Sequence, residues 1–270
     1  MFKQIKPSHP IFSGEYRQNR EFFILDCIMN DAPLLLSDGR EVVICGTPGL
    51  EHPLWIWTSD SVSEYTLSAL DEWILRTYPV SDGAYFVAKP SVARRIYSLY
   101  SGRERAFEHR VSMMAHVCPE LIPARNTSAV IDRPDELDLP DIAGFCEAFS
   151  LESLGGQLSP AAASGTAMSL LERPLTFVIR EDGRPAAMAT ANKETPEYTC
   201  ISWVYSAPEA RCRGYAAALV AHISRIILES GKTPFLYTDL ANPCSNRAYA
   251  NVGFIPSGRV DEIKLVWQTH

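Results

Sequence analysis

A chain of 270 residues is long enough for one large domain or two ordinary ones, each with its own core. With 46% apolar and 21% charged residues its composition excludes a largely disordered protein, and a net charge of −7 argues against one whose main business is gripping nucleic acid. Cys27, Cys45, Cys118, Cys146, Cys200, Cys212 and Cys244 are odd in number and show neither Cys-x-x-Cys pairing nor zinc spacing, so a reducing cytoplasm and no metal site are expected. No stretch approaches the length of a membrane span, and the first residues lack the apolar core of a signal peptide, so no membrane partner is expected.

In the first part of the chain, periodicity predicts helices at 16–29, 61–77 and 91–100 and strands at 41–45, 54–57 and 84–88. That mixture suggests an α/β layer domain over residues 1–125. The Pro-rich, charged stretch 119–140 forms the junction to a second domain at 126–270. There the pattern predicts a strand at 129–131, helices at 139–149 and 160–171, and strands at 175–180, 186–191 and 198–205. A helix from 214 to 229, a strand at 235–238, a helix at 245–251 and a strand at 262–267 follow. Asp182-Gly183 is a hairpin signal, which makes the early strands antiparallel.

The segment from Trp203 to Ala216 is the most informative. Trp203, Val204 and Tyr205 are strand formers, Pro208 ends the strand, and Gly214 opens a helix whose Leu219, Val220, Ile223, Ile226 and Ile227 share a face. The first turn of such a helix carries N–H groups with no intrahelical partner at the positive end of its dipole. A phosphate is the expected guest.

Arg211-x-x-Gly214-x-Ala216 resembles the Arg/Gln-x-x-Gly-x-Gly/Ala signature of the GNAT acyl-CoA N-acyltransferases. Downstream, Asn242, Tyr249 and Gly253-Phe254 stand at the spacing of that family's Asn-x-x-x-x-x-x-Tyr-x-x-x-Gly-Phe segment. The resemblance covers roughly residues 129–270. It implies an α/β (α+β) GNAT fold with a mixed, mostly antiparallel sheet, and one reading makes the first domain a degenerate copy that has lost the phosphate loop.

The resemblance also implies an acyltransferase that moves an acetyl group from acetyl-CoA directly to a primary amine of a small molecule, amino acid or peptide in a ternary complex. Coenzyme A would be held by the main chain of Val204, Tyr205 and Ser206, by the loop Arg211, Cys212, Arg213, Gly214, Tyr215 and Ala216, and by Asn242 and Asn246. Tyr249 would be the general acid for the departing thiolate. Asn242 reads equally as a helix cap. Where some relatives carry a basic glutamate this chain has Cys200, so the base is left open among Glu147, Glu152, Glu197, Asp239 and water. His109 and His116 read as structural. The alternatives are a non-catalytic acyl-CoA sensor or scaffold and an enzyme using a longer acyl donor, and a homodimer is left open.

Overall fold

A computed structural model describes residues 2–47, 52–78, 85–100, 105–122, 129–153 and 155–267. The boundary expected between 125 and 126, and residue 84 of the strand expected at 84–88, lie outside the described residues. In chain order the elements are β1 (Lys3–Gln4), α1 (Glu15–Gln18), α2 (Phe23–Ile28), β2 (Leu34–Ser37), β3 (Val42–Gly46), β4 (Leu54–Thr58), α3 (Glu64–Thr77), β5 (Tyr85–Ala88), α4 (Pro90–Ser98) and β6 (Arg105–Val117). They continue with β7 (Ile131–Asp132), α5 (Leu139–Ser153), α6 (Pro160–Glu172), β8 (Thr176–Glu181), β9 (Arg184–Glu194), β10 (Tyr198–Ser206), α7 (Tyr215–Glu229), β11 (Thr233–Asp239), α8 (Pro243–Ala250) and β12 (Ile255–Trp267).

Two compact units emerge: Met1–Ala115 with Ser257–His270, and His116–Pro256. In the first, the strands run β1-β2-β3-β4-β5-β12, antiparallel except where α3 carries the chain from β4 to a parallel β5. In the second they run β7-β8-β9-β10-β11, antiparallel except where α7 carries β10 to a parallel β11. The order β2-β3-β4-α3-β5-α4-β6 therefore repeats as β8-β9-β10-α7-β11-α8-β12. The last strand of the repeat, β12, lies in the first unit, where Asp261 to Lys264 pair with Ala88 to Tyr85.

Local chemistry explains the elements that hold the second unit together. Asp182 and Gly183 both have positive φ, 49° and 80°, the twist of a tight hairpin turn, and Glu181 pairs with Arg184 across it. On α7, Leu219, Val220, Ile223 and Ile227 are buried while Arg225 and Glu229 face water, and Gly231 at φ 80° follows the helix end. Strand alternation sends Ile179, Ala187 and Ala189 to the α7 side and Val178 and Met188 to the side covered by α5 and α6. Each face thus has its own apolar layer. The first unit packs α3 and α4, through Leu70, Ile74, Val92 and Ile96, on Ile44, Ile56, Phe86 and Ile263.

The helix expected over 16–29 is instead α1, a short 3-10 turn at Arg20–Phe22 and α2. Asn19 leaves helical geometry at ψ 75° because its side-chain oxygen is committed elsewhere, accepting from Trp57 Nε1 at 2.6 Å and Lys89 Nζ at 3.1 Å. β2 and β6 are not among the expected strands. β12 starts at Ile255, seven residues before the expected 262.

α5 is anchored at its start. Asp135 accepts from Leu137 N at 2.8 Å, Asp138 accepts from Asp135 N at 2.8 Å, and the guanidinium of Arg180 grips both Asp138 oxygens. Burial pulls the Asp138 carboxyl upward, but Arg180 and the Asp135 N–H outweigh it and leave the group below its ordinary range. Replacing Asp138 by Asn should cost about 2 kcal/mol at neutral pH, as for other charged hydrogen bonds. The contribution is complete above the unfolded value of 3.8 and is lost as pH falls through the lower folded value. Urea unfolding of wild type and Asp138→Asn should therefore differ at neutral pH and converge in strong acid.

Gly253 stands at φ 114°, and a Cβ there would lie 2.3 Å from the Glu120 carbonyl oxygen. Both facts demand glycine. Ile122 N donates to Val252 O at 3.0 Å, so the turn after α8 is pressed against residues 120–122. Gly253→Ala should lower stability by about 1–3 kcal/mol, read as a shift of the urea midpoint; an unchanged midpoint would show that the turn relaxes without loss.

Candidate functional site

β10 departs from regular sheet at two points, its register with β9 shifting first between Cys200 and Ile201. Between Ser202 and Tyr205 it shifts again, where Trp203 at φ 51° sits in a bulge that places one extra residue on β10. Left-handed geometry at a tryptophan is unfavourable, and packing holds it there: the ring lies 4.9 Å from that of Phe149 on α5, and the next aromatic, Tyr205, lies 5.2 Å from Phe145. On its other edge β10 pairs with β11 at Tyr198, Thr199 and Cys200, opposite Thr233, Pro234 and Phe235. Among the described pairs none joins residues 201–206 to β11. The parallel strands fork there.

The fork leads into the turn before α7. Pro208–Ala210 forms a 3-10 turn, Arg211 is extended, and Cys212 and Gly214 take φ of 64° and 83°. No side chain caps α7, and Ala218 N donates to Gly214 O at 3.0 Å. Among the described hydrogen bonds none is donated by the backbone N–H groups of 212–217. Residues 211–214 are exposed and 215–217 half-buried, so these donors line a cradle suited to an anion.

The first unit supplies an internal comparison. Its β4–α3 turn occupies the same place in the repeat, yet its donors are filled by the protein's own carboxylates. Glu15 accepts from Ser59 Oγ at 2.7 Å and from Asp60 N, while Glu41 accepts from Ser63 N at 3.2 Å and Ser63 Oγ at 2.8 Å. Hydrogen bonds from Thr66 and then Ser63 hold the Glu41 carboxyl below its usual range. Ser63 Oγ also caps α3 at Thr66 N. One turn's main chain is met by internal carboxylates; among the described hydrogen bonds the other's is not.

The side chains proposed from the sequence fall into three groups. Val204 packs on the α7 face, Tyr205 on the α5 face, and Ser206 O accepts from Arg211 Nε at 3.2 Å. Arg211 turns toward α5, donating to both Glu152 oxygens at 2.7 and 3.0 Å and to the Tyr205 hydroxyl at 3.3 Å. Arg213 donates to Glu209 O at 2.9 Å and pairs with Glu181, which also accepts from the Tyr215 hydroxyl. Cys212 is exposed, and Ala216 is half-buried and small. The loop's two cations are thus already paired, which leaves main-chain donors as its open feature.

Across the fork, Asn242 caps α8, its oxygen accepting from Ser245 N at 3.1 Å. Asn246 donates from Nδ2 to Asp239 O at 3.2 Å, but its Oδ1 is buried with no partner, as is Thr238 Oγ1 near the end of β11. Tyr249 is 6% exposed and belongs to the α7-side layer with Leu236 and Phe254. Burial raises its phenol well above the ordinary tyrosine range, against a smaller opposite pull from a hydrogen bond with Ser245.

Among the carboxylates left open as bases, Glu147 is exposed, Asp239 accepts from Ala241 N at 2.8 Å, and Glu152 is engaged with Arg211 and Tyr205. Glu197 sits at the turn before β10, its carbonyl accepting from Thr233 N. Cys200 is 5% exposed at the last paired residue before the fork. The sequence reading missed Glu181 as partner of Arg213, and the aromatic shelf of Phe145 and Phe149. The latter had a signal, since the two phenylalanines are one helical turn apart on α5, in line with Glu152.

Residues 179–261, which contain the fork, the cradle and Tyr249, match the FR47-like protein family. A comparison with curated proteins gave no match. Among solved structures, a GNAT-family acetyltransferase from Colwellia psychrerythraea is similar at 15% identity and TM-score 0.58, covering 98% of this chain and 100% of its own. A GCN5-related N-acetyltransferase from Sphaerobacter thermophilus is similar at 16% identity and TM-score 0.59, covering 91% and 83%. A GCN5-related N-acetyltransferase from Kribbella flavida follows at 17% and 0.52, covering 83% and 86%. At these identities the likeness speaks for the fold. The chain has the GNAT acetyltransferase fold, and its signature lies in a GNAT-related, FR47-like domain at residues 179–261.

Proposed function

We propose that the chain is an acetyl-CoA-dependent N-acetyltransferase that acetylates a primary amine of a small molecule, amino acid or peptide by direct attack in a ternary complex. The observation that carries this reading is a fork in parallel strands that ends in a turn of unpaired main-chain donors. A diphosphate needs several donors at close range, and the N–H groups of 212–217 offer them without a side chain in the way. The opened edge of β10 at Val204, Tyr205 and Ser206 suits the paired amides of a pantetheine arm, as a peptide adds to a sheet edge.

Acetyl-CoA would supply an activated acetyl group on sulfur. In the transfer a C–N bond forms as the C–S bond breaks, the amine loses a proton to water, and the sulfur gains one. Tyr249 is proposed for the second role on its place in the motif: a phenol is protonated throughout the neutral range and so has a proton to give, although burial, by raising its pKa, makes it a weaker acid. Water returns that proton afterwards. With Cys200 at the position where a glutamate would stand, solvent suits the role of base better than any side chain at the fork.

Tyr249's burial and its bond to Ser245 favour one competing reading, in which the unit binds an acyl-CoA without transferring the acyl group. The experiment separates them. Purified protein with acetyl-CoA or longer acyl-CoAs and a panel of amines should form acylated amine and CoA, measured by chromatography because the exposed thiols of Cys212 and Cys244 would consume a thiol reagent. Tyr249→Phe should lower kcat by about 10²- to 10⁴-fold with CoA affinity preserved. Binding without turnover on any amine would establish the sensor reading instead.

A further inference from the structure

We infer that Glu152 sets how tightly the anionic end of the donor is held, by competing with it for Arg211; this rests on the acyl-CoA reading above. Arg211 immediately precedes the open N–H groups, yet its guanidinium is turned onto α5. It is held by both oxygens of Glu152, by Ser206 O and by the Tyr205 hydroxyl, with its carbon 5.6 Å from the centre of the Tyr205 ring. Glu152 in turn accepts from the Tyr205 hydroxyl at 3.2 Å. Its position is fixed by the same helix face that carries Phe145 and Phe149 onto Tyr205 and Trp203.

The two charged side chains are 45% and 46% exposed, so their attraction is screened and weak. A diphosphate in the adjacent cradle brings more charge and several acceptor oxygens to the same cation. Arg211 can then exchange partners, and Glu152 does not become bare when it does, because Tyr205 continues to donate to it. Arg213 is placed differently. It is tied to both Glu181 and the Glu209 carbonyl, which brace the loop itself. Glu152 therefore acts as a positioning residue through Arg211 and touches no reacting atom.

The test is calorimetric titration of CoA into wild type, Glu152→Gln, Arg211→Met and the double variant at low ionic strength. Replacing a half-exposed surface carboxylate leaves the fold intact, and thermal melts check this. Glu152→Gln should tighten CoA binding by about two- to fivefold, the size expected for a screened ion pair. In the Arg211→Met background the same change should do nothing, and Glu152→Asp should behave as wild type. An unchanged affinity in Glu152→Gln, or an equal gain with and without Arg211, would overturn the inference while leaving the acyl-CoA reading intact. Absence of CoA binding by every variant, wild type included, would overturn the reading and the inference together.

Discussion

Main-chain N–H groups at a helix start need acceptors, and the chain meets that need in two opposite ways. At the β4–α3 turn Glu15 and Glu41 provide carboxylate oxygens, and Ser63 caps the helix. At the β10–α7 turn, among the described residues, the carboxylates of Glu152 and Glu181 meet side chains and none accepts from the main chain, no side chain caps the helix, and Gly214 adopts the left-handed geometry that keeps the backbone approachable. Burying such donors without partners would be costly. They are tolerated because residues 211–214 are exposed and 215–217 half-buried, within reach of water.

This contrast gives the repeated topology a physical meaning. Both halves place three antiparallel strands before a crossover helix and a parallel strand, but the first half has closed its turn with its own anions. A closed turn is a structural joint. Its hydrogen bonds tie Glu15, ahead of β2, and Glu41, ahead of β3, to the segment between β4 and α3. The second half gives up such ties at one place and compensates around it, with Arg213 and Tyr215 fastened to Glu181 and α7 buried along a full face. An open loop can keep its shape only if what flanks it is rigid.

The features most legible in the sequence were those governed by local rules. Asp182-Gly183 declared its turn through backbone freedom, and α7 declared its buried face through periodicity, ending at Gly231. What escaped was set by distant partners. Nothing near Asn19 foretells that Trp57 and Lys89 will draw its side chain out of a helix, and the alternation of Val111, Met113, Ala115 and Val117 with Ser112 and His116 in β6 is broken by the polar run Glu108, His109 and Arg110. Spacing could mark Arg211 as near an anion, yet its bond to Glu152 joins residues 59 positions apart. Tyr249 was picked out by spacing alone, and only the fold shows how deeply it is buried.

The bulge at Trp203 links these levels. The register of β10 with β9 shifts twice, first at Cys200/Ile201 and again between Ser202 and Tyr205, over the residues where the described pairing with β11 has ended. Bulges of this kind bend a strand, and the unfavourable φ of Trp203 is held by an aromatic layer drawn from α5. α5 in turn is fixed at its start by Asp138 and Arg180. An ion pair between buried Asp138 and half-buried Arg180 at one end of that helix thus supports the strained strand near its other end, and the same helix positions Glu152 against Arg211. The fork and the charge that faces its mouth consequently share one support, so loosening α5 would disturb both together.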